Sequence, residues 1–127
     1  MSLALNPENI NLLNNYSYYL AIEKVNLKRA KELILKVIDK FPDNSTYMDT
    51  YGWVMFQLGE YEEAEQILFN AVIKDGERSG EILEHYGDVL FKLDNKKKAI
   101  TFWEKAKATD EHSKELIQKI NENKFIE

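Results

Sequence analysis

The fold is decided by one stretch of sequence, TYGWVMFQLGEYEEA, which runs from Thr50 to Ala64. The stretch predicts the end of one helix, a tight turn at residues 58–60 and the start of a second helix. Gly52 and Ala64 stand twelve residues apart, on opposite arms of this hairpin. Because glycine has no side chain and alanine has only a methyl group, we expect the two helices to approach each other closely.

The same pair of small residues occurs twice more along the chain. Gly87 is followed twelve residues later by Ala99, and Ser17 is followed thirteen residues later by Ala30. The three alanines are therefore spaced 34 and 35 residues apart. A period of this length in a helical sequence is typical of tetratricopeptide repeats.

Helical spacing of apolar residues extends over most of the chain, and no segment alternates as a strand would. The predicted helix starts are Asn6-Pro7-Glu8, Asn26, Asn44 or Ser45, and Asp110. Asparagine, serine and aspartate cap helices, and proline fits the first helical position. We expect one domain over residues 1–127, with helical hairpins at about 7–42, 45–76 and 80–109 and a capping helix at about 111–123.

The chain resembles the tetratricopeptide repeat family over about residues 6–109. The family's positions are filled by Leu13, Tyr16, Ser17, Leu20, Ala30 and Ile34, by Met48, Tyr51, Gly52, Met55, Ala64 and Leu68, and by Leu83, Tyr86, Gly87, Leu90, Ala99 and Trp103. Ser17 replaces one glycine, and the closing proline is present once, as Pro42. The resemblance implies an all-α fold, a right-handed α-α superhelix (solenoid) of three hairpins. More narrowly, residues 49–54 and 85–90 are similar to the closing repeats of longer bacterial members, some of which are envelope lipoproteins.

The last helix is expected to cap the solenoid with a polar outer face. That face would be supplied by Glu111, Lys114, Glu115, Gln118 and Lys119. Solenoids need such an end because a terminal repeat has no neighbour to cover it.

Composition excludes several classes of function. With 17 basic and 22 acidic residues the net charge is −5, which disfavours a nucleic-acid binder. The absence of cysteine excludes disulfides and thiolate metal sites. No apolar run approaches the ~18 residues that span a bilayer, and residues 1–5 are too short for a signal peptide. The compartment is left open between the cytoplasm and, within a longer exported chain, a bacterial cell envelope.

In the family the first helix of each hairpin lines a concave surface, and the resemblance implies the same groove here. Helical phase assigns to it Asn14, Tyr18, Asp49, Trp53, Phe56, Glu81, Glu84, Asp88 and Phe91. Such a groove would be aromatic along its length and acidic toward its C-terminal half. Its carboxylates would repel a peptide's terminal carboxylate, so a basic or apolar segment fits better. Alternatively, the aromatics pack between repeats and the carboxylates form an ordinary solvated face.

No catalytic, cofactor or metal site is predicted. No nucleophile motif or glycine-rich phosphate loop is present. The two histidines, His85 and His112, stand in different elements of the predicted fold, and no further histidine or cysteine is available to complete a zinc site with either of them. Carboxylates on stiff helices also rarely supply the six or more oxygens that Ca²⁺ prefers.

Two functions therefore stay open. The first is a non-catalytic module that binds a peptide or partner protein in the groove. The second is a structural segment that caps a longer tetratricopeptide scaffold or self-associates into a homo-oligomer.

Overall fold

The computed structural model describes residues 9–74, 79–109 and 111–126, and within these ranges it has seven α-helices and no strand. The helices are α1 (Ile10–Glu23), α2 (Leu27–Lys40), α3 (Ser45–Gln57), α4 (Tyr61–Ile73), α5 (Gly80–Lys92), α6 (Lys96–Lys107) and α7 (Leu116–Glu122). Each helix packs on the next, while α3 also contacts both α1 and α5. The predicted all-α repeat fold is confirmed, and no described helix is long and apolar enough to cross a membrane.

Most helix starts follow the capping residues. The side chain of Asn44 accepts a hydrogen bond from the Tyr47 N–H at 3.1 Å, as expected for the start of α3. α1 is capped in the same way by Asn9, whereas the expected start at residues 6–8 lies outside the described residues. The prediction for Asn26 is wrong in one respect: it precedes α2 in a left-handed conformation (φ 49°), and its side chain makes no capping hydrogen bond.

The turns inside the second and third hairpins are equivalent. Gly59 has φ 83° and Asp94 has φ 65°, and the two residues are 35 apart. In each turn the next N–H donates to a carbonyl five residues earlier, at 2.9 Å: Glu60 to Met55, and Asn95 to Leu90. A left-handed residue followed by this bond is a common helix ending, and it reverses the chain toward the second helix.

The expected close approach is present in all three hairpins, but its partners differ from those predicted. A Cβ at Gly52 would lie 2.6 Å from Leu68 Cγ, and one at Gly87 would lie 2.4 Å from Trp103 Cδ1. The glycines therefore face the residue four positions after each alanine, rather than the alanine methyl. In the first hairpin Ser17 Oγ instead donates to the Ala30 carbonyl at 2.7 Å.

The last helix is shorter than predicted. α7 begins at Leu116 rather than at about residue 111, and Asp110, its predicted cap, lies outside the described residues. The difference has a local cause, because both the backbone N–H and the hydroxyl of Ser113 donate to the Glu84 carboxylate. Residues 111–115 thus have an irregular or turn conformation against α5, and the helix begins only at Leu116.

Candidate partner-binding cleft

A cleft of about 670 Å³ opens among the first helices of the hairpins. One side is lined by Tyr18 of α1, Trp53 of α3, and Glu81, Glu84 and Asp88 of α5. The other side is formed by the chain's own C-terminal segment, residues 111–126, with Ser113, Lys119 and Phe125 among its lining residues. This segment therefore occupies part of the concave surface that the sequence assigned to a partner.

Five of the nine predicted groove residues line the cleft, and four do not. Asn14, Asp49, Phe56 and Phe91 are outside its lining. Glu81 is exposed, Tyr18 and Phe91 are half-buried, and the other six side chains are buried. Five of these residues therefore line the cleft, and six of the nine are buried rather than part of a solvated face.

The buried polar residues follow the repeat. Asn14, Asp49, Glu84 and Lys119 occupy equivalent positions at steps of 35 residues, in α1, α3, α5 and α7. Asp49 is bonded to His85 in the next first helix, and Glu84 is bonded to Lys119 in the helix after that. Each of these carboxylates therefore meets a basic side chain from the following repeat unit.

The pair between Asp49 and His85 is buried and close. His85 Nδ1 lies 2.8 Å from Asp49 Oδ1, and the ring of Trp53 stacks on the imidazole at a centroid distance of 4.0 Å. Burial opposes the charged imidazolium. The carboxylate of Asp49, with the charges of Glu81 and Asp88, outweighs burial and raises the pKa of His85 to about 9. The ring is therefore protonated at neutral pH.

This protonation bears on a cluster that resembles a metal site. Asp49, Glu81 and His85 each offer a ligand atom, and these atoms lie within 4.8 Å of one another. An imidazolium has no free lone pair, because both ring nitrogens carry protons. In the structure His85 makes a charge-assisted hydrogen bond to Asp49 within this cluster.

Lys119 holds the C-terminal segment on α5. Its Nζ is 2.7 Å from Glu84 Oε2 and 2.9 Å from Asp88 Oδ1, and all three side chains are buried. Asp88 also accepts a hydrogen bond from Trp103 Nε1 at 3.0 Å. The sequence prediction that Lys119 belongs to a polar outer face is therefore wrong, because its repeat position points it at the carboxylates of the preceding unit.

The carboxylates of this cluster are not equivalent. Burial raises the pKa of Asp88 to about 7, although Lys119 opposes the shift. Burial also acts on Glu84, but Lys119 and the two Ser113 donors outweigh it and lower its pKa. The pKa of Lys119 is raised, since the carboxylates of Asp88 and Glu84 overcome the cost of burying its charge.

Aromatic rings make further packing contacts around the cleft. Phe56 stacks on Trp53 at 4.4 Å, and Phe125 from the C-terminal segment meets Phe56 edge-on at 5.5 Å. Phe91 stacks on Trp103 of α6 at 5.6 Å. Phe56 and Phe91 thus serve packing between elements, which is the alternative that the sequence left open for them.

The open end of the cleft is the part lined by Glu81, which is exposed, and Tyr18, which is half-buried. Burial, followed by the charges of Glu81, Asp49 and Glu84, raises the pKa of Tyr18. Burial likewise raises the pKa of Glu81, and the neighbouring carboxylates of Asp49 and Glu84 add to the effect although His85 opposes it. This end of the cleft is therefore crowded with negative charge.

Comparison with known proteins places the chain among repeat proteins of this kind. No protein-family model matches it. The TPR repeat-containing protein PA4667 of Pseudomonas aeruginosa is 31% identical over 86 residues, which are 68% of this chain and 14% of that protein. The chain thus corresponds to a small part of that relative's length.

Solved structures agree on the fold. The first TPR domain of the human RPAP3 protein superposes with a TM-score of 0.79 at 16% identity, covering 93% of this chain and 91% of that one. The first TPR of Spaghetti (RPAP3), bound to the HSP90 peptide SRMEEVD, gives a TM-score of 0.78 at 16% identity, covering 91% of this chain and 90% of that one. At these identities the likeness is one of fold.

Proposed function

Because this chain is a tetratricopeptide-repeat protein, we propose that it is a non-catalytic interaction module whose cleft binds a basic segment of a partner protein. Proteins with this fold include peptide binders, as the complex with the HSP90 peptide illustrates. The transfer of that role to this chain rests on the chemistry of its own cleft.

The observation that carries the proposal is an imbalance of charge. Four carboxyl groups, from Asp49, Glu81, Glu84 and Asp88, surround two basic side chains, His85 and Lys119. The acids outnumber the bases, although Asp88, with a pKa of about 7, is only partly ionised at neutral pH. Glu81 is the one of the four that stays exposed. A lysine or arginine entering beside it would relieve the repulsion from Asp49 and Glu84, which His85 offsets only in part.

The chain's own C-terminal segment supports the same choice of partner. Lys119 places a cation on two carboxylates, and Phe125 places an aromatic ring on Phe56. These two residues exemplify the contacts that the concave surface can make. A partner segment that combines a basic with an apolar or aromatic side chain would extend these contacts along the open end, over Tyr18 and Trp53.

The acidic HSP90 peptide SRMEEVD has the charge that this cleft should reject, so it serves as the comparison peptide. Its two glutamates, its aspartate and its terminal carboxylate would face carboxylates in this cleft. A matched peptide, SRMKKVK with an amidated C-terminus, keeps the length and the apolar residues while reversing the charges. Fluorescence anisotropy with both peptides, at low and high salt, therefore tests charge separately from size.

We expect the basic peptide to bind more tightly than the acidic one and to weaken as salt rises. Glu81→Gln should weaken that binding by about tenfold, equal to about 1.4 kcal/mol, without lowering the melting temperature. Glu104→Gln, an exposed residue of α6, is the matched control. Equal binding of the two peptides, or an unchanged affinity in Glu81→Gln, would show that the cleft does not select basic segments.

A further inference from the structure

The chain that follows α7 departs from the repeat. The first helices of the three hairpins end at left-handed residues at steps of 35, namely Lys24 (φ 58°), Gly59 (φ 83°) and Asp94 (φ 65°). The equivalent left-handed residue of α7 is Asn123 (φ 53°), which is 29 residues after Asp94 and so comes six residues early. Because six residues are about one and two-thirds turns of a helix, the chain leaves α7 on a different side from the one that leads into a second helix.

The position that accommodates a second helix is also changed in α7. Glu122 stands 35 residues after Gly87, where the first two hairpins have Ser17 and Gly52. A Cβ at Gly52 or Gly87 would already lie 2.6 or 2.4 Å from a side chain of the second helix. A glutamate at the same place is incompatible with that close approach, and residues 123–126, the strap, take another course.

The strap returns to the concave surface and forms one wall of the cleft. Phe125 meets Phe56 of α3 edge-on at 5.5 Å, and Ile126 lines the cleft beside it. The Nζ atoms of Lys92 and Lys119 lie 4.8 and 5.4 Å from the centroid of the Phe125 ring. The ring of Phe125 therefore occupies a subsite, the Phe56 subsite, that surrounds it with an aromatic ring and two ammonium groups.

The strap is held less firmly than the helix that carries it. Leu116 and Lys119 of α7 are 0% and 3% exposed. In the strap Lys124 is exposed, and Phe125 and Ile126 are half-buried. Because the buried anchors of α7 precede the strap, the strap can lift from the cleft while α7 and the ion pairs of Lys119 stay in place.

The Phe56 subsite lies within reach of a partner segment that enters beside Glu81. Thr46, the residue of α3 equivalent to Glu81, stands ten residues before Phe56. Ten residues are about 15 Å along a helix, and an extended chain covers that distance in about four to five residues. A segment that lies along the groove from Glu81 would therefore meet the strap.

We propose that the strap is an internal ligand of the cleft, and that a partner segment with an aromatic side chain about four to five residues from a basic one displaces Phe125 from the Phe56 subsite. The inference rests on the proposed function, which places the basic residue at Glu81, and it adds an aromatic requirement and a competitor. The strap lowers the apparent affinity for such a segment according to the fraction of molecules in which the subsite is open. A segment without the aromatic side chain leaves the strap in place.

The test uses two amidated peptides that differ in one side chain, SRMKKVKF and SRMKKVKA. In the first peptide the phenylalanine follows the first lysine by four residues, in keeping with the distance between Glu81 and the Phe56 subsite. Fluorescence anisotropy compares their binding to the wild-type chain, to Phe125→Ala and to Phe69→Ala. Phe69 is an exposed phenylalanine of α4 outside the cleft lining, so its variant is the matched control.

We expect Phe125→Ala to bind SRMKKVKF about fivefold more tightly than the wild-type chain does, as if the strap closed the subsite in about four-fifths of wild-type molecules. Its affinity for SRMKKVKA, and both affinities of Phe69→Ala, should stay within about twofold of the wild-type values. Equal affinities of the wild-type chain and Phe125→Ala for SRMKKVKF would overturn the inference. An equal gain for both peptides would also overturn it, because Phe125 would then obstruct the whole cleft rather than fill one aromatic subsite.

A second measurement follows the strap in a chain that keeps its aromatic ring. Fluorine NMR of para-fluorophenylalanine at position 125 should give a resonance displaced from that of the same residue in the free peptide NKFI, which has the sequence of the strap. Saturation with SRMKKVKF should return the resonance to the free-peptide position. A resonance that has this position before any addition, or that stays displaced at saturation, would contradict the strap as a displaceable ligand.

A failure of the proposed function is distinguishable, because it shows in Phe125→Ala, where no ring competes for the subsite. Equal binding of SRMEEVD and SRMKKVKA to that variant would reject the selection of basic segments. A preference for SRMKKVKA over SRMEEVD, together with equal binding of SRMKKVKF to the wild-type chain and the variant, would instead retain the proposed function and reject the strap as a competitor.

Discussion

The first and third hairpins hold different residues at positions 70 residues apart, and the difference reflects which elements pack on each hairpin. The pairs are Asn14 and Glu84, Asn15 and His85, Ser17 and Gly87, Tyr18 and Asp88, and Tyr19 and Val89. The third hairpin has α4 before it and the C-terminal segment after it, so each of its positions is buried. In the first hairpin Asn15 and Tyr19 are exposed, and Tyr18 is half-buried.

Buried polar atoms show the same contrast. Glu84 has hydrogen bonds from Ser113 and Lys119, and Asp88 has them from Lys119 and Trp103. Oδ1 of Asn14 is the one buried side-chain atom without a hydrogen-bond partner in the described part of the chain. Burying a neutral amide oxygen without a partner costs some free energy, whereas burying an unpartnered carboxylate at the same position would cost much more. The neighbouring unit therefore determines which residue the repeat position can hold.

The largest expected difference between the hairpins is at Tyr19 and Val89. Val89→Asp would place an unpaired charge in the core and should destabilise the protein by more than about 4 kcal/mol. Tyr19→Asp changes an exposed position of the 127-residue chain and should cost no more than about 0.5 kcal/mol. Urea denaturation of the two variants measures both values. A comparable loss in both would mean that Tyr19 is as well covered as Val89.

Removal of Lys119 should have the next largest effect. Lys119→Met leaves Glu84 and Asp88 buried without their cation, and we expect a loss of about 3–5 kcal/mol in the free energy of unfolding. Lys124→Met is the control, because the ion pair of Lys124 with Glu122 is on the surface, where such pairs contribute about 0–1 kcal/mol.

A triple variant separates charge from packing in this cluster. Lys119→Met combined with Glu84→Gln and Asp88→Asn removes all three charges, and it should recover part of the stability lost in Lys119→Met. Failure of the triple variant to recover any stability would attribute the loss to shape rather than to uncompensated charge. Circular dichroism with urea titration is sufficient for all four proteins.

The third prediction concerns pH, because His85 titrates where Asn15 of the first hairpin cannot. The pKa of His85 is raised from 6.5 to about 9 in the folded protein, so the folded state binds this proton more tightly than the unfolded state. The stabilisation is complete below pH 6.5 and disappears as pH rises toward 9. It should amount to roughly 3 kcal/mol.

Stability measured in urea from pH 6 to 9.5 tests this sign. The wild-type free energy of unfolding should fall across that range, and His85→Gln should flatten the fall because the titrating group is gone. Asp49→Asn should do the same while keeping the histidine, since it removes the carboxylate that holds the proton. A wild-type curve that rises through pH 8 would contradict the ion pair.

Six of the seven helices could be predicted well from the sequence because most local signals agree with the repeat, whereas the cap at Asn26 and the start of α7 could not. Three kinds of signal indicate the same architecture: the small residues at steps of about 35, the cap at Asn44 and the turn at Asp94. The structure confirms this architecture. Helical phase also predicts a groove that includes Tyr18, Trp53 and Glu81, and these residues line the cleft of the structure, whereas its role in binding stays a prediction. Those predictions needed only the phase of a single helix.

The C-terminal half of the cleft needed information that helical phase cannot supply. Lys119 was assigned to the outer face because α7 was treated as a cap, although its 35-residue step from Glu84 was visible in the sequence. Phe125 follows Asn123, whose left-handed conformation (φ 53°) ends α7 and returns the chain toward Phe56. Its place depends on tertiary packing of a short segment, for which the sequence has no periodic signal.

The smallest predicted difference concerns Ser17 and Gly87, where α1 and α5 approach their second helices. A methyl group at Gly87 would lie 2.4 Å from Trp103 Cδ1 and 3.1 Å from the Ala99 carbonyl oxygen, so Gly87→Ala forces the indole to move. Trp103 cannot move freely, because its Nε1 donates to Asp88. Overpacking of this kind costs about 1–3 kcal/mol.

The first hairpin already carries a side chain at this position, and its hydroxyl bonds the Ala30 carbonyl. Ser17→Ala should therefore cost only that hydrogen bond, about 1 kcal/mol, and Ser17 should tolerate the methyl that Gly87 cannot. Melting temperatures of the two alanine variants provide the measurement. If Gly87→Ala is the milder of the two, the spacing between α5 and α6 is not set by the missing side chain, and the glycine of the third hairpin must be explained by some property other than close approach.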